Sequence, residues 1–225
     1  MGLNKCKCDS VLGNAIKSHL VRMGVDTPAF DNSFVADTDK ITAIAGHFEE
    51  IMKTLGLDLT DDSLHDSPRR VAKMYVSELF WGLNPDNFPK CTTIENKMQY
   101  DEMVLERDIS VMSSCEHHFV TIDGVAHVAY IPDKLVLGLS KMNRIVEYFA
   151  RRPQVQERLT EQVYHALSFI LETEDVAVVI DAEHFCVKSR GVEDSHSSTL
   201  TSKLGGKFKS EDSLRAEFMH LIRSK

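Results

Sequence analysis

The sequence has no long apolar stretch, since none of its runs approaches the roughly 18 apolar residues that suggest a membrane-spanning helix. Its N-terminus also lacks the apolar core of a secretory signal. Neither a P-loop nor a G-x-G-x-x-G turn occurs, which argues against a P-loop or Rossmann nucleotide enzyme. We therefore expect no membrane association and a cytoplasmic location.

Cysteine is scarce, and its spacing excludes two common uses of the residue. The five cysteines are an odd number without a disulfide-framework spacing, which is typical of a reducing compartment. No CxxC pair is present, so a zinc-finger pattern is missing. Cys6 and Cys8 are interpreted as exposed thiols on a mobile N-terminal tail.

Positive charge is also in short supply, and it is unevenly distributed. The net charge of -8 argues against a general nucleic-acid binder. Residues 37–66 hold eight acidic side chains against two lysines, whereas residues 134–158 hold six basic side chains against two acidic ones. A basic island in an acidic chain indicates a small anionic ligand, although a solvated helix face would look the same.

Three helices are predicted in the first 100 residues from apolar side chains at three- and four-residue spacing. The first runs from Ser10 to Met23 and the second from about Thr38 to Leu55. The third begins with Ser67 as its N-cap and Pro68 in its first turn. Residues 1–100 are therefore predicted to form an N-terminal helical annex.

The apolar period changes after residue 100, where strands and helices alternate. The predicted strands are Met103–Met112, Phe119–Ile122, Val125–Ile131 and Val176–Val187, and the predicted helices are Ser140–Phe149, Val155–Ile170 and a short C-terminal helix after Gly205-Gly206. Asp123-Gly124 is a two-residue hairpin signal, and a Ser/Thr-rich stretch, Ser195–Ser202, leads to Gly205-Gly206. This order predicts an α+β domain over residues 101–225, with an antiparallel sheet and two helices on one face.

Chemistry-bearing residues concentrate in the run Cys115-Glu116-His117-His118 and, about 70 residues later, in His184-Phe185-Cys186. Cys115, His118 and Cys186 would supply three metal ligands and leave a fourth position to water, as in catalytic zinc sites. His117 and His184 would then lie beside the metal as proton carriers. Because residues two apart on a strand share a face, His184 and Cys186 are predicted to address one site. The alternative is that these are ordinary core or surface residues.

Four stretches resemble the GTP cyclohydrolase I family closely, and the resemblance as a whole extends over roughly three quarters of the chain. They are Asp66–Tyr75, Ser114–Pro132, Gly138–Val163 and Ala182–Ser202, with CEHH, GLSK and QVQERLT in that order. The resemblance implies a zinc enzyme that converts GTP and water to formate and 7,8-dihydroneopterin triphosphate for folate-type pterin synthesis. It also implies the tunnelling fold and a toroidal homodecamer with active sites between subunits.

The resemblance carries over residue by residue. It implies Cys115, His118 and Cys186 as Zn²⁺ ligands and His117 and His184 as catalytic residues. For the triphosphate and ribose of the substrate it implies Ser140, Lys141, Arg144 and Arg190. For guanine recognition it implies the pair Gln156 and Glu157. Arg151 and Arg152 lie outside this set and are expected to matter less.

Three alternatives remain open from the sequence. Cys115 could act as a thiol nucleophile, although metal ligation would already use its thiolate. A zinc base deaminase uses similar ligands, but its H-x-E and P-C-x-x-C signature is missing. A non-catalytic scaffold of the same fold is the third, and the presence of both His117 and His184 argues against it.

Overall fold

Helices dominate the first part of the chain, and strands follow, in a computed structural model that describes residues 3–30 and 35–224. The helices are α1 (Ser10–Met23), α2 (Asp37–Thr54), α3 (Ser67–Met74), α4 (Leu139–Ala150), α5 (Gln156–Leu171), α6 (Phe185–Lys188), α7 (Gly206–Ser210) and α8 (Asp212–Arg223). The strands are β1 (Thr93–Glu95), β2 (Val104–Cys115), β3 (Thr121–Tyr130), β4 (Leu135–Leu137), β5 (Pro153–Gln154), β6 (Val176–His184) and β7 (Thr199–Leu204). The mixed α+β class predicted from the sequence is confirmed.

The central sheet has five strands in the order β5-β2-β3-β6-β7. Three of its four pairings are antiparallel, and the short β5 joins β2 in parallel. Strands β1 and β4 form a separate two-stranded sheet. The predicted antiparallel sheet is therefore confirmed, with one parallel edge that the sequence pattern did not indicate.

The two faces of the sheet are covered by different helices because side chains alternate along each strand. Val128, Val178 and Ile180 belong to the main core together with apolar residues of α4 and α5. The intervening Ala177 and Val179 belong to a smaller core. Phe208 of α7 and Phe218 of α8 complete that second core, so the C-terminal helices cover the face opposite α4 and α5.

The N-terminal helices begin and end close to their predicted limits. Asp9 caps α1 by accepting a hydrogen bond from the Leu12 N–H, and Gly24 ends it in the left-handed conformation. Helix α3 does begin at Ser67, but Asp66 occupies the cap position, so the predicted N-cap is wrong by one residue. Ile16 of α1 is buried in the main core, and the division at residue 100 stays a prediction.

The predicted hairpin turn at Asp123-Gly124 is wrong, because β3 runs through both residues. Gly124 pairs with Val111 on one side and Ala182 on the other. A side chain at Gly124 would place its Cβ 2.2 Å from the Asp181 carbonyl oxygen. The glycine therefore allows β3 and β6 to approach closely, and the β2–β3 turn lies earlier, after Cys115.

The sequence pattern did not indicate β7, and it predicted a mobile N-terminal tail that needs correction. Strand β7 begins within the Ser/Thr-rich stretch and pairs with β6 from Ala182↔Thr199 to Ala177↔Leu204. The segment around Cys6 and Cys8 is anchored to the body of the chain: Cys8 forms a β-bridge with Pro89, and the Lys90 N–H donates to the Lys7 carbonyl at 2.8 Å. Among residues 3–30 and 35–224, no helix combines the length and apolarity required to cross a membrane.

Candidate metal and substrate site

One end of the sheet carries the Cys-Glu-His-His run, and we call it the metal end. Strand β2 finishes at Cys115, and a tight turn returns the chain to β3. Within this turn the Phe119 N–H donates to the Cys115 carbonyl, and the Cys115 N–H donates to the Val120 carbonyl, both at 2.8 Å. Phe119 has a φ of 55°, an unusual left-handed conformation for a bulky residue, which makes the turn short.

The second segment arrives at the same end from β6. Strand β6 ends at His184, which pairs with Ile122 near the start of β3. The predicted alternation of His184 and Cys186 along one strand is wrong, because Phe185–Lys188 forms the single helical turn α6. That turn carries Cys186 toward Cys115, so the two segments meet by a different local geometry from the predicted one.

The three predicted ligands lie together. One ligand atom from each of Cys115, His118 and Cys186 falls within 4.8 Å of the other two, so the group could hold a metal ion. Cys115 is buried, Cys186 is half-buried and His118 is exposed, which leaves one side of the group open to solvent.

The donor chemistry of this group suits a cation. Burial raises the pKa of the Cys186 thiol, and the adjacent Cys115 thiol raises it further. A bound metal ion acts in the opposite direction, because it deprotonates coordinating thiols. Two sulfur ligands and one imidazole are also a known ligand set of catalytic zinc.

The predicted catalytic histidines occupy different surroundings beside this group. His117 is exposed, and its Nδ1 lies 3.7 Å from the Cys115 Sγ. His184 is half-buried, and its Nε2 lies 2.7 Å from the Gln156 Oε1. Burial lowers the pKa of His184, while the carboxylate of Glu157 acts in the opposite direction. His117 therefore lies beside a predicted metal ligand, whereas His184 is held by Gln156 two residues before Cys186.

The first turn of α5 faces this end of the sheet. The buried side chain of Gln156 donates to the carbonyls of Ile180 (3.0 Å) and Thr199 (2.8 Å), in addition to its contact with His184. Glu157, the next residue, is exposed. The amide of Gln156 is thus occupied within the chain, whereas the carboxylate of Glu157 is accessible to a ligand.

Arg190 follows α6 and extends to the ligand group. Its Nη1 lies 2.8 Å from the His118 Nε2. A guanidinium can only donate, so this Nε2 accepts and carries no proton. Arg190 is consequently the one residue of the predicted triphosphate set that the described chain places at the metal end.

Ser140, Lys141 and Arg144 lie at the opposite end of the sheet, which we call the basic end. They occupy the start of α4, where the Gly138 N–H donates to the Thr92 carbonyl. Helix α4 then runs back toward β5 and the metal end, and Ser140 precedes Ala150 by about 15 Å at 1.5 Å per residue. One chain therefore does not bring these residues to the metal group.

Comparison with known proteins identifies the family. A model of the GTP cyclohydrolase I family matches residues 44–223, which is well over half of the chain. The chain belongs to the GTP cyclohydrolase I family. It is 59% identical over 204 residues to GTP cyclohydrolase 1 of Aeromonas salmonicida, covering 91% of this chain and 93% of that protein. It is 59% identical to the Shewanella denitrificans protein of the same name over 204 residues, covering 91% and 94% of the two chains.

Two polar residues of this GTP cyclohydrolase I family member were missed by the sequence analysis. Arg158 of α5 donates to the carboxylate of Glu116 through Nη1 at 2.5 Å and Nη2 at 3.4 Å. The guanidinium also lowers the pKa of Glu116. Their separation in sequence hides the pair, and only the position of Glu116 inside CEHH could have suggested that its charge needs a partner.

A cavity of about 490 Å³ borders the far side of Tyr75 and Phe80, whose rings pack against Phe119 of the metal-end turn. It is bordered by the start of α2 and by Tyr75, Trp81 and Tyr148, and none of the predicted metal ligands lines it. Within the metal group itself, only His118 is exposed. A nucleotide-sized pocket at that position would need further walls.

Proposed function

We propose that this chain is a GTP cyclohydrolase I, which uses water to open the guanine imidazole ring of GTP. The products are formate and 7,8-dihydroneopterin triphosphate, a precursor for tetrahydrofolate and pterin biosynthesis. The observation that carries the proposal is the convergence of Cys115, His118 and Cys186 within 4.8 Å in a chain of this family. The five free thiols are consistent with the cytoplasm as its location.

Zn²⁺ is the proposed cofactor, held by Cys115, His118 and Cys186. Zinc binds thiolate and imidazole readily, and a site with three protein ligands retains an open position. When bound, zinc supplies the Lewis acidity that makes water nucleophilic near neutral pH, as attack on guanine C8 requires. Cys115 then serves as a ligand, which explains its burial better than a role as nucleophile does.

His117 and His184 are proposed to move protons to the ring nitrogens as the imidazole ring opens. Imidazoles are suited to this because their pKa values lie near physiological pH. The lowered pKa of His184 keeps it largely neutral at pH 7, so it can accept a proton before it donates one. Its contact with Gln156 fixes the ring orientation for that transfer.

Glu157 is proposed to select guanine, supported by Gln156 beside it. A carboxylate can accept hydrogen bonds from the guanine N1–H and 2-amino group together, a pattern that adenine does not offer. The exposed position of Glu157 next to His184 favours this role. Gln156 contributes by anchoring the same turn to β6 and β7.

Ser140, Lys141, Arg144 and Arg190 are proposed to bind the triphosphate and ribose. Since only Arg190 lies at the metal end of this chain, the other three would come from a neighbouring copy. A helix start with two cations is well suited to phosphate, because its free N–H groups and its charges both attract anions. This division supports sites between subunits, as in the ring-shaped homodecamer that the family resemblance implies. We propose neither nucleic acid nor a membrane as a partner.

The direct test is to incubate the metal-loaded protein with GTP and to measure formate, together with a fluorescent pterin after oxidation. We expect both products in equal amounts, and neither from Cys186→Ala. Release of ammonia in place of formate would indicate a base deaminase. Tight binding of GTP without either product would indicate a non-catalytic scaffold.

A further inference from the structure

Glu116 lies in the middle of the ligand-bearing run, yet its carboxylate is engaged elsewhere. Both of its oxygens face the guanidinium of Arg158, at 2.5 and 3.4 Å. The side chains of Arg158 and Glu116 are only 19% and 23% exposed, so the pair is largely shielded from water. A forked guanidinium–carboxylate contact fixes orientation as well as distance.

The pair joins an exposed turn to a helix that is packed into the core. Glu116 belongs to the turn that carries His118, and both His117 and His118 are exposed. Arg158 belongs to α5, where the next two residues, Leu159 and Thr160, are buried. Exposed loop residues are usually the more mobile part of a fold, so the helix restrains the turn more than the reverse.

Backbone contacts alone leave part of this turn unrestrained. The Glu116 N–H donates to the Gln154 carbonyl at 3.0 Å, and the Cys115 N–H is paired with Val120. These contacts fix Cys115 as the end of a strand. Between them, the side-chain contact of Glu116 with Arg158 is the tie from the turn to α5.

We propose that Arg158 is a positioning residue that acts through Glu116 on the Cys115–His118 turn. It holds His118 where this imidazole can share one metal ion with Cys115 and Cys186. The inference rests on the proposed metal site and adds residues that support the ligands without touching the metal. Partners of this kind typically change metal affinity by about 10- to 100-fold when removed.

The experiment measures Zn²⁺ affinity of the full-length protein by competition with a chromogenic chelator. We expect Arg158→Gln and Glu116→Gln each to bind zinc about 10- to 100-fold more weakly than the unaltered protein. The double variant should be no weaker than the weaker single variant, because both changes remove one contact. Arg158→Lys retains the charge without the fork and should lie in between.

A matched control is available on the same helix. Glu161 of α5 forms a half-buried ion pair with Lys203 at 2.9 Å, with both side chains about one-third exposed. Lys203→Gln removes a comparable contact away from the ligands and should leave zinc affinity unchanged. If Lys203→Gln and Arg158→Gln lose similar thermal stability but only Arg158→Gln loses zinc affinity, then reduced stability does not explain the weaker zinc binding.

The outcomes separate this inference from the proposed function. Unchanged zinc affinity in Arg158→Gln and Glu116→Gln, with affinity lost in Cys186→Ala, would overturn the positioning role and leave the metal site intact. If Cys186→Ala also kept full affinity, the metal site itself would be wrong. Should Arg158→Gln not fold, Glu116→Gln and Arg158→Lys provide the same comparison.

Discussion

The two ends of the sheet are built differently. At the metal end, Cys115, His118 and Cys186 converge within one chain, and Arg158 and Gln156 reinforce the segments that carry them. At the basic end, Lys141 and Arg144 lie on the first turns of α4, away from the three predicted metal ligands. If the proposed roles hold, the metal ligands act within one chain, whereas the proposed anion-binding charges of α4 reach a metal site only in a second copy.

The length of the strands explains why one chain cannot join the two ends. Strand β3 begins near the metal end at Thr121 and reaches Tyr130, whose hydroxyl accepts from the Leu137 N–H at 3.0 Å just before α4. Ten residues of strand span about 30 Å. Symmetric association, the common arrangement of soluble oligomers, can place the basic end of one subunit beside the metal end of another.

Removal of a metal ligand should have the largest effect, and it tests whether the metal end carries the chemistry. We expect Cys115→Ala, His118→Ala and Cys186→Ala to reduce GTP turnover about 1,000-fold or more, because metal-ion catalysis supplies several kcal/mol. The sheet and helices bury the core without the help of the metal, so the circular dichroism spectrum and the oligomer size should be retained. Cooperative unfolding of the chelated protein would show instead that the site is structural.

Arg152 tests whether the basic island is one functional unit. This buried residue donates from Nε to the Gly82 carbonyl at 2.7 Å and pairs with Asp26 at 3.6 Å. Its guanidinium also lies 4.7 Å from the Tyr148 ring centroid. We expect Arg152→Ala to lower the free energy of unfolding by about 3 kcal/mol, as loss of one partner of a buried pair does.

The neighbouring Arg151 supplies the control for that experiment. In denaturant unfolding, Arg151→Ala should lower the free energy of unfolding by well under half as much as Arg152→Ala does. Equal and small effects of both substitutions would mean that the buried contacts of Arg152 do not stabilise the fold.

The cations at the two ends should affect the triphosphate in the same way, although they lie far apart in one chain. Lys141→Ala, Arg144→Ala and Arg190→Ala should each reduce the efficiency with GTP by roughly 10- to 150-fold, since a charge-assisted hydrogen bond contributes about 1.5–3 kcal/mol. The ratio of GTP to GMP efficiency at fixed ionic strength should fall in all three. An unchanged ratio would remove these residues from the triphosphate site.

Glu157 should affect the base and not the phosphates. Glu157→Gln keeps the shape but loses one acceptor, and an unmatched buried polar group costs about 1–3 kcal/mol. We expect a loss of GTP efficiency of roughly 5- to 150-fold, with the ratio of GTP to GMP unchanged. If Glu157→Gln kept the wild-type efficiency, Glu157 would be a surface residue without a role in guanine recognition.

The sequence predicts the elements of this fold well wherever a local pattern decides them. The apolar spacing of α1 and of α5 gives both helices within one or two residues. It fails at Asp123-Gly124, where glycine serves a contact with β6 and not a turn, and at Cys186, which lies on α6. These features depend on neighbours distant in sequence, which local patterns do not contain.

The candidate site shows the same limit. Cys115, His118 and Cys186 are recognisable because their residue types are chemically specific, and the structure brings them together. The Arg158–Glu116 pair joins positions 42 residues apart with ordinary charged side chains, so no spacing rule indicates it. The separation of Lys141 and Arg144 from the ligands is likewise a property of topology.

The central claim, that each site combines the metal end of one chain with the basic end of another, is tested by complementation. Cys186→Ala, which should be nearly inactive, and Lys141→Ala, which should be impaired roughly 10- to 150-fold, are dissociated, mixed in equal amounts and reassembled. Random pairing between chains should restore about a quarter of the sites to the wild-type composition, because each half is intact with a probability of one half. Restored GTP turnover near that level is the predicted result. Turnover no higher than that of the separate variants, in rings shown to contain both chains, would contradict the account.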